Sequence, residues 1–119
     1  MSVVRGREAE DAALEFLLRS GLSLLARNHR CRMGEIALVM TDGPVLVFVE
    51  VRARARTRFA SPEESVGATK QARLSAAARH FIARHPALAA RPMRFDLVAI
   101  SPGGKDNDLR WIRAAFDAA

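Results

Sequence analysis

The sequence predicts an α/β sandwich with a mixed central sheet, in the element order α-β-β-β-α-β. Three observations carry that expectation. Apolar residues recur at helical spacing in two separate stretches, continuous or alternating apolar runs suit strands elsewhere, and two of those runs flank the turn sequence Thr41-Asp42-Gly43-Pro44. With 119 residues, the chain is expected to form one domain, residues 1–119, burying roughly two-thirds of its unfolded surface.

The first helix is expected over residues 6–21, where Ala9, Ala12, Ala13, Phe16 and Leu17 make one stripe and Gly21 takes the position after a helix end. Residues 22–30 read as a short strand. Residues 34–40 read as a second strand, which the Asp42-Gly43 pair turns back into a third at 45–54. The polar stretch 55–68, with Pro62 and Gly67, is expected to be a surface loop. Leu74, Ala77, Ala78, Phe81 and Ile82 then predict a second helix over 69–85, closed off by Pro86. Residues 93–100 form a fourth strand, 101–108 a turn, and 109–116 a short strand or helix. The helix joining the third and fourth strands is a crossover, right-handed if the two strands are parallel.

Half of the residues are apolar and 27% are charged, a balance that suits a soluble globular protein. The longest apolar run, VLVFV, is far below the roughly 20 residues needed to span a bilayer, so no membrane passage is expected. A single cysteine, Cys31, with no leader-like start, points to a reducing cytoplasm. Nineteen Lys and Arg against thirteen Asp and Glu give +6, and since Lys70 and Lys105 are the two lysines, seventeen of the nineteen are arginine. Paired guanidinium donors suit phosphate, which puts nucleic acid first among expected partners. A genome rich in Arg codons would give the same Arg-to-Lys ratio.

The third strand carries the most information. Side chains alternate along a strand, so Phe48, Glu50, Arg52 and a strand-continuing Arg54 share one face, while Val47, Val49 and Val51 share the other. With the turn centred on Asp42 and Gly43, residue 40 faces 45, 37 faces 48 and 35 faces 50, placing Glu35, Ala37, Phe48, Glu50 and Arg52 on one side. Two opposed glutamates repel unless a cation lies between them. That cation is either a divalent ion or Arg52 and its neighbours. In the first case Glu35 and Glu50 hold Mg²⁺ and Arg52 stabilises charge on a phosphodiester. In the second they belong to a surface ion-pair network.

Taken in order, GREAEDAALEFLLRSGLSLLARNHRCRMGEIALVM, LVFVEVRARAR, SVGATKQARL and RFDLVAI resemble the YraN family of small bacterial proteins, from about Gly6 to Phe116. The resemblance implies a restriction-endonuclease-like α-β-β-β-α-β sandwich, distantly similar to archaeal Holliday-junction resolvases. It implies a metal site built from an Asp on the second strand, a Glu-x-Lys on the third and an acid on the first helix. Glu50 matches the third-strand Glu, Arg52 stands in place of the Lys, and Glu10 fits the helix acid. The second-strand motif Gly-Glu-Ile-Asp reads Gly34, Glu35, Ile36, Ala37, so the expected metal-ligating Asp is replaced by Ala37. Arg52 can clamp a phosphate but does not lose its proton, so it is no general base.

The expected function is therefore nucleic-acid binding, DNA first, by a nuclease fold whose Mg²⁺ or Mn²⁺ site is weakened or lost. Two alternatives stay open: an active Mg²⁺- or Mn²⁺-dependent endonuclease with Glu10, Glu35 and Glu50 as metal ligands, and a protein-interaction module that binds no nucleic acid. Arg52, Arg54 and Arg56, with Lys70, Gln71 and Arg73 at the start of the second helix, are the expected nucleic-acid contacts. The resolvase analogy adds a homodimer. Asp96 is read as a partner for a nearby arginine, Trp111 as core packing and Cys31 as an ordinary thiol. His29, His80 and His85 lack ligand spacing and receive no role.

Overall fold

The computed structural model describes residues 2–53, 66–100 and 109–117. Two helices, α1 (Ser2–Arg19) and α2 (Ala68–Ala83), cover a sheet of five strands: β1 (Ser23–Cys31), β2 (Gly34–Asp42), β3 (Val45–Ala53), β4 (Met93–Ile100) and β5 (Leu109–Phe116). The spatial order is β1-β2-β3-β4-β5. Every neighbouring pair is antiparallel except β3 and β4, which are parallel and are joined through α2. This is the expected mixed-sheet sandwich, with residues 109–116 resolved as a strand. Among the described residues no helix is long and apolar enough to cross a membrane. Of the loop expected over 55–68, residues 55–65 lie outside the described residues, as does the turn over 101–108, while Val66 is buried and Ala68 already opens α2.

Each helix buries the stripe its spacing requires. Ala13 and Leu17 of α1 pack on Leu38, Met40, Val47, Val49 and Val98. On the opposite face Leu74, Ala77, Ala78 and Phe81 of α2 cover Ile36, Val39, Phe48, Phe95 and Leu97. Phe48 and Phe81 are almost fully buried and meet edge to face with centroids 6.1 Å apart. Burial of a side chain of that size is worth roughly 1.5–3 kcal/mol. The end of α1 is a Schellman motif: Leu22 N–H donates to Leu17 O and Gly21 N–H to Leu18 O, each at 3.1 Å, with Gly21 at φ +100°. Leu22 returns into the same cluster as Leu17, which fixes where β1 enters the sheet.

Two details of the chain path set the relation of β2 to β3 and of β2 to α2. Gly43, at φ +58°, and Pro44 form the two-residue hairpin turn, so Asp42 pairs with Val45. The expected pairing of residue 40 with 45 is thus wrong by two residues, because the turn is Gly-Pro and not Asp-Gly. The second detail is a close approach: a Cβ on Gly34 would lie 3.2 Å from the Arg73 carbonyl oxygen and 3.3 Å from its Cβ. The β1–β2 turn therefore seats directly on the first turns of α2. Gly34→Ala is expected to cost about 1–3 kcal/mol, the usual range for forcing a methyl into packed backbone. An unchanged urea midpoint would mean that α2 slides aside freely.

Candidate functional site

The antiparallel pairing of β2 with β3 runs from Asp42↔Val45 to Leu38↔Val49 and stops there. Upstream, residues 34–36 of β2 stay with β1, and downstream Glu50 to Ala53 of β3 stay with β4. The two central strands part at Ala37 and Glu50. Alternation along β2 also slips at this point, since Ala37 and Leu38 both pack in the α1-side cluster while Ile36 and Val39 pack on the α2 side.

Glu50 lies on the α2 side of β3 and is 8% exposed. Lys70, in the first turn of α2, brings Nζ to 3.4 Å from Glu50 Oε2, and Arg52 Nε stands 3.5 Å from the same oxygen. Burial pushes the Glu50 carboxyl above the ordinary carboxylate value, Lys70 and Arg52 pull it back in part, and Glu35 adds to the rise. A buried acid held partly against its ionisation between two cations is a common mark of a functional position.

On the other face, a cleft of about 500 Å³ opens between α1 and the β1–β2 pair. Arg7, Glu10, Asp11, Arg27, Arg30 and Glu35 line it. Arg30 Nε donates to Glu35 Oε2 at 3.0 Å and Arg27 Nη2 to Asp11 Oδ1 at 2.7 Å. Glu10 is half-buried, and its carboxyl is raised first by that burial and then by Glu35, with Glu50 and Asp11 contributing and Arg27 opposing. Glu10, Glu35 and Glu50 thus feel one another's charge, although they reach the site from both layers.

These positions revise the expected arrangement. Glu35 does not face Glu50: the register differs by two, and β2 has left β3 before Glu35 is reached. Nor do Glu35 and Ala37 share the face of Phe48 and Glu50, because the slip at Ala37–Leu38 turns them toward α1. Among the described residues no group of three or more His, Cys, Asp or Glu side chains stands close enough to hold a metal ion. Arg52 and Lys70 do converge on Glu50, Arg73 is exposed beside Gly34, and the Gln71 amide donates to the Val66 carbonyl at 2.9 Å, bracing the start of α2. Arg54 and Arg56 lie outside the described residues.

Sequence reasoning missed the cleft arginines and the pairing of Lys70 with Glu50. Arg27 and Arg30 are three apart, which on a regular strand puts them on opposite faces. Asn28, at φ +53°, breaks the alternation and lets both line one cleft. An Asn inside an otherwise strand-like run was the available signal, since Asn tolerates a left-handed backbone. The Lys70 contact joins residues 20 apart through a crossover whose placement no local pattern gives.

The profile of the family described as Uncharacterised protein family UPF0102 matches residues 9–100. The chain belongs to this family. The UPF0102 family is the YraN family expected from the motifs. A UPF0102 protein from Stutzerimonas stutzeri is 50% identical over 113 residues, covering 95% of this chain and 94% of its own length. Two from Nitrosomonas europaea are 47% and 46% identical, each over 113 residues covering 95% of this chain and 93% of their own. The UPF0102 match includes Glu10, Glu35, Ala37, Glu50, Arg52 and Lys70, so the Glu50 cluster lies within the family region, as does the cleft apart from Gly6 and Arg7. The names of these relatives state the UPF0102 family and no activity, which leaves chemistry to be argued from the site.

Proposed function

We propose that this UPF0102 protein binds nucleic acid, DNA first, through the basic side chains around Glu50, and that its phosphodiester chemistry is weakened. Arg52, Lys70 and Arg73, with Arg54 and Arg56 further along the chain, supply the phosphate contacts. The observation that carries this reading is how the acids are matched: Glu50 with Lys70 and Arg52, Glu35 with Arg30, Asp11 with Arg27. Arginine and lysine already neutralise the carboxylates that would otherwise gather on Mg²⁺ or Mn²⁺. Ala37 offers no ligand where the fold expects an Asp, so the residues present fit such an ion poorly. A net charge of +6 supports a polyanionic partner.

The test is binding of labelled single-stranded, duplex and four-way-junction DNA across a salt series. Five phosphate contacts give a slope of log K against log salt of about −4.5 on duplex DNA, or several hundredfold between 50 and 200 mM. A flat salt response would overturn nucleic-acid binding and leave the protein-interaction reading. The same samples, passed through light scattering, report whether the homodimer expected by analogy forms.

A second reading, an active endonuclease, is favoured by one feature: burial raises both Glu10 and Glu50, and Glu35 adds to each rise, a repulsion that a bound divalent ion would relieve. Cleavage in MgCl₂ or MnCl₂ separates the two readings. The natural protein is expected not to cut. Ala37→Asp puts a carboxylate at a position only 7% exposed and is expected to cost about 1–3 kcal/mol without metal, a common range for a disruptive single substitution. If MnCl₂ restores that stability and the variant cuts, the lost activity traces to Ala37. If the natural protein cuts and Glu50→Gln does not, the endonuclease reading replaces ours.

A further inference from the structure

Among the described residues β1 is an edge strand paired to β2 alone, and α2 packs across this end of the sheet. There His29 of β1 meets His80 of α2, with His29 Nε2 3.0 Å from His80 Nδ1 and both rings half-buried. Phe81 flanks the His29 ring. His29 stands edge-on to the Phe81 ring with centroids 5.1 Å apart, and His85 stacks on Phe81 at 4.1 Å. The His29 ring is thus packed on a buried aromatic side chain, and His80 meets it from α2 with ring centroids 5.1 Å apart.

Two imidazole nitrogens bound to one zinc ion at about 2.0–2.1 Å lie about 2.8–3.0 Å apart for a right-angle bond angle and about 3.3–3.4 Å apart for the tetrahedral one. The His29–His80 separation falls at the lower end of that span. It also suits an N–H···N hydrogen bond; a metal would displace that proton to the far nitrogen of the same ring, and the rings would turn until both lone pairs meet on the ion. We propose that His29 and His80 form a two-histidine site for a divalent transition metal of the Zn²⁺ class, clasping the edge strand to α2. Water fills the remaining positions, because no third His, Cys, Asp or Glu among the described residues completes the group. His85 is not positioned as a ligand through Nδ1, which lies 2.8 Å from the Phe81 carbonyl oxygen. Imidazole donors select Zn²⁺, Cu²⁺ or Ni²⁺ over Mg²⁺. Lys70 and His80 are ten positions apart on α2, about 15 Å along the helix, which separates this site from the Glu50 cluster.

The decisive experiment adds ZnCl₂ to the full chain and follows the imidazole nitrogens by ¹⁵N NMR, which needs no substitution. The expected result is a joint shift of His29 Nε2 and His80 Nδ1. Tm should rise with ZnCl₂, by about 4 °C or more once the metal exceeds its dissociation constant tenfold. His80→Gln and His29→Gln should each weaken binding about tenfold or more, in line with what loss of support around a metal costs; Glu50→Gln should leave it unchanged. Zinc that moves only His85, that binds the histidine variants as tightly as the natural protein, or that produces no shift would overturn the proposal.

Discussion

Asp96→Ala is expected to lower the free energy of unfolding by about 3–5 kcal/mol, the usual cost of removing one partner from a buried ion pair. Asp96 is completely buried on β4 and accepts four hydrogen bonds. Arg94 Nε reaches Oδ1 at 2.9 Å and Oδ2 at 3.2 Å, Trp111 Nε1 reaches Oδ2 at 2.9 Å, and the Ala114 N–H reaches Oδ1 at 3.0 Å. Arg94 Nη2 continues to Asp42 Oδ2 at 3.0 Å, so one carboxylate ties the β2–β3 hairpin, β4 and β5 together. Removing it strands the indole N–H and the amide at the β4–β5 irregularity, where Ala114 sits at φ +50°. Ala114 holds that left-handed backbone beside the Asp96 bond, so the variant also loses a restraint on a strained turn of the chain. Urea unfolding of Asp96→Ala and Asp96→Asn measures this, with the smaller loss expected for Asn because its oxygen still accepts from Trp111. A loss under 1 kcal/mol for Asp96→Ala would mean that water enters and satisfies the three donors.

Glu50→Gln is expected to move stability and binding in the same direction, which an ordinary structural ion pair would not do. Burial raises the Glu50 carboxyl despite Lys70 and Arg52, so the folded protein holds its proton more tightly than the unfolded chain does. The contribution of the neutral carboxyl is complete below the ordinary value of 4.5 and is lost as pH rises through the raised folded value. At neutral pH the ionised Glu50 therefore costs stability. Glu50→Gln should raise Tm at pH 7–8, with the gap closing as pH falls below 4.5. It should also tighten DNA binding several-fold, because Lys70 and Arg52 no longer divide their charge between Glu50 and phosphate. A lower Tm at pH 7, coupled to weaker DNA binding, would make the Glu50–Lys70 contact a structural bridge. Loss of metal-dependent cleavage in this variant would point instead to the endonuclease.

The two predictions differ in how far each residue could be understood before folding. Asp96 was readable as the partner of an arginine, since Arg94 lies two residues away on the same strand face. Its bonds to Trp111 and Ala114 depend on β5, which the sequence left open between strand and helix. Glu50 and Arg52 were legible as a pair on one face, and that face is correct. Lys70 was expected to meet phosphate, yet its contact with Glu50 is a product of α2 crossing over the end of β3.

Local sequence determined most of the elements and several of their faces: the Ala9–Ala13–Leu17 stripe, the Gly21 helix end, the alternation of β3, and the missing Asp at Ala37. Those follow from helix and strand periodicity and from the left-handed backbone that glycine permits, and they act within a few residues. Tertiary structure decided the rest. The parting of β2 from β3, the turn of Glu35 toward α1 and the meeting of His29 with His80 depend on register and crossover. Register answers to packing summed over both faces of the sheet, so a two-residue shift at the Gly43-Pro44 turn keeps residues 38–42 on their expected faces while changing which residues oppose one another, and the slip at Ala37–Leu38 moves the residues before them.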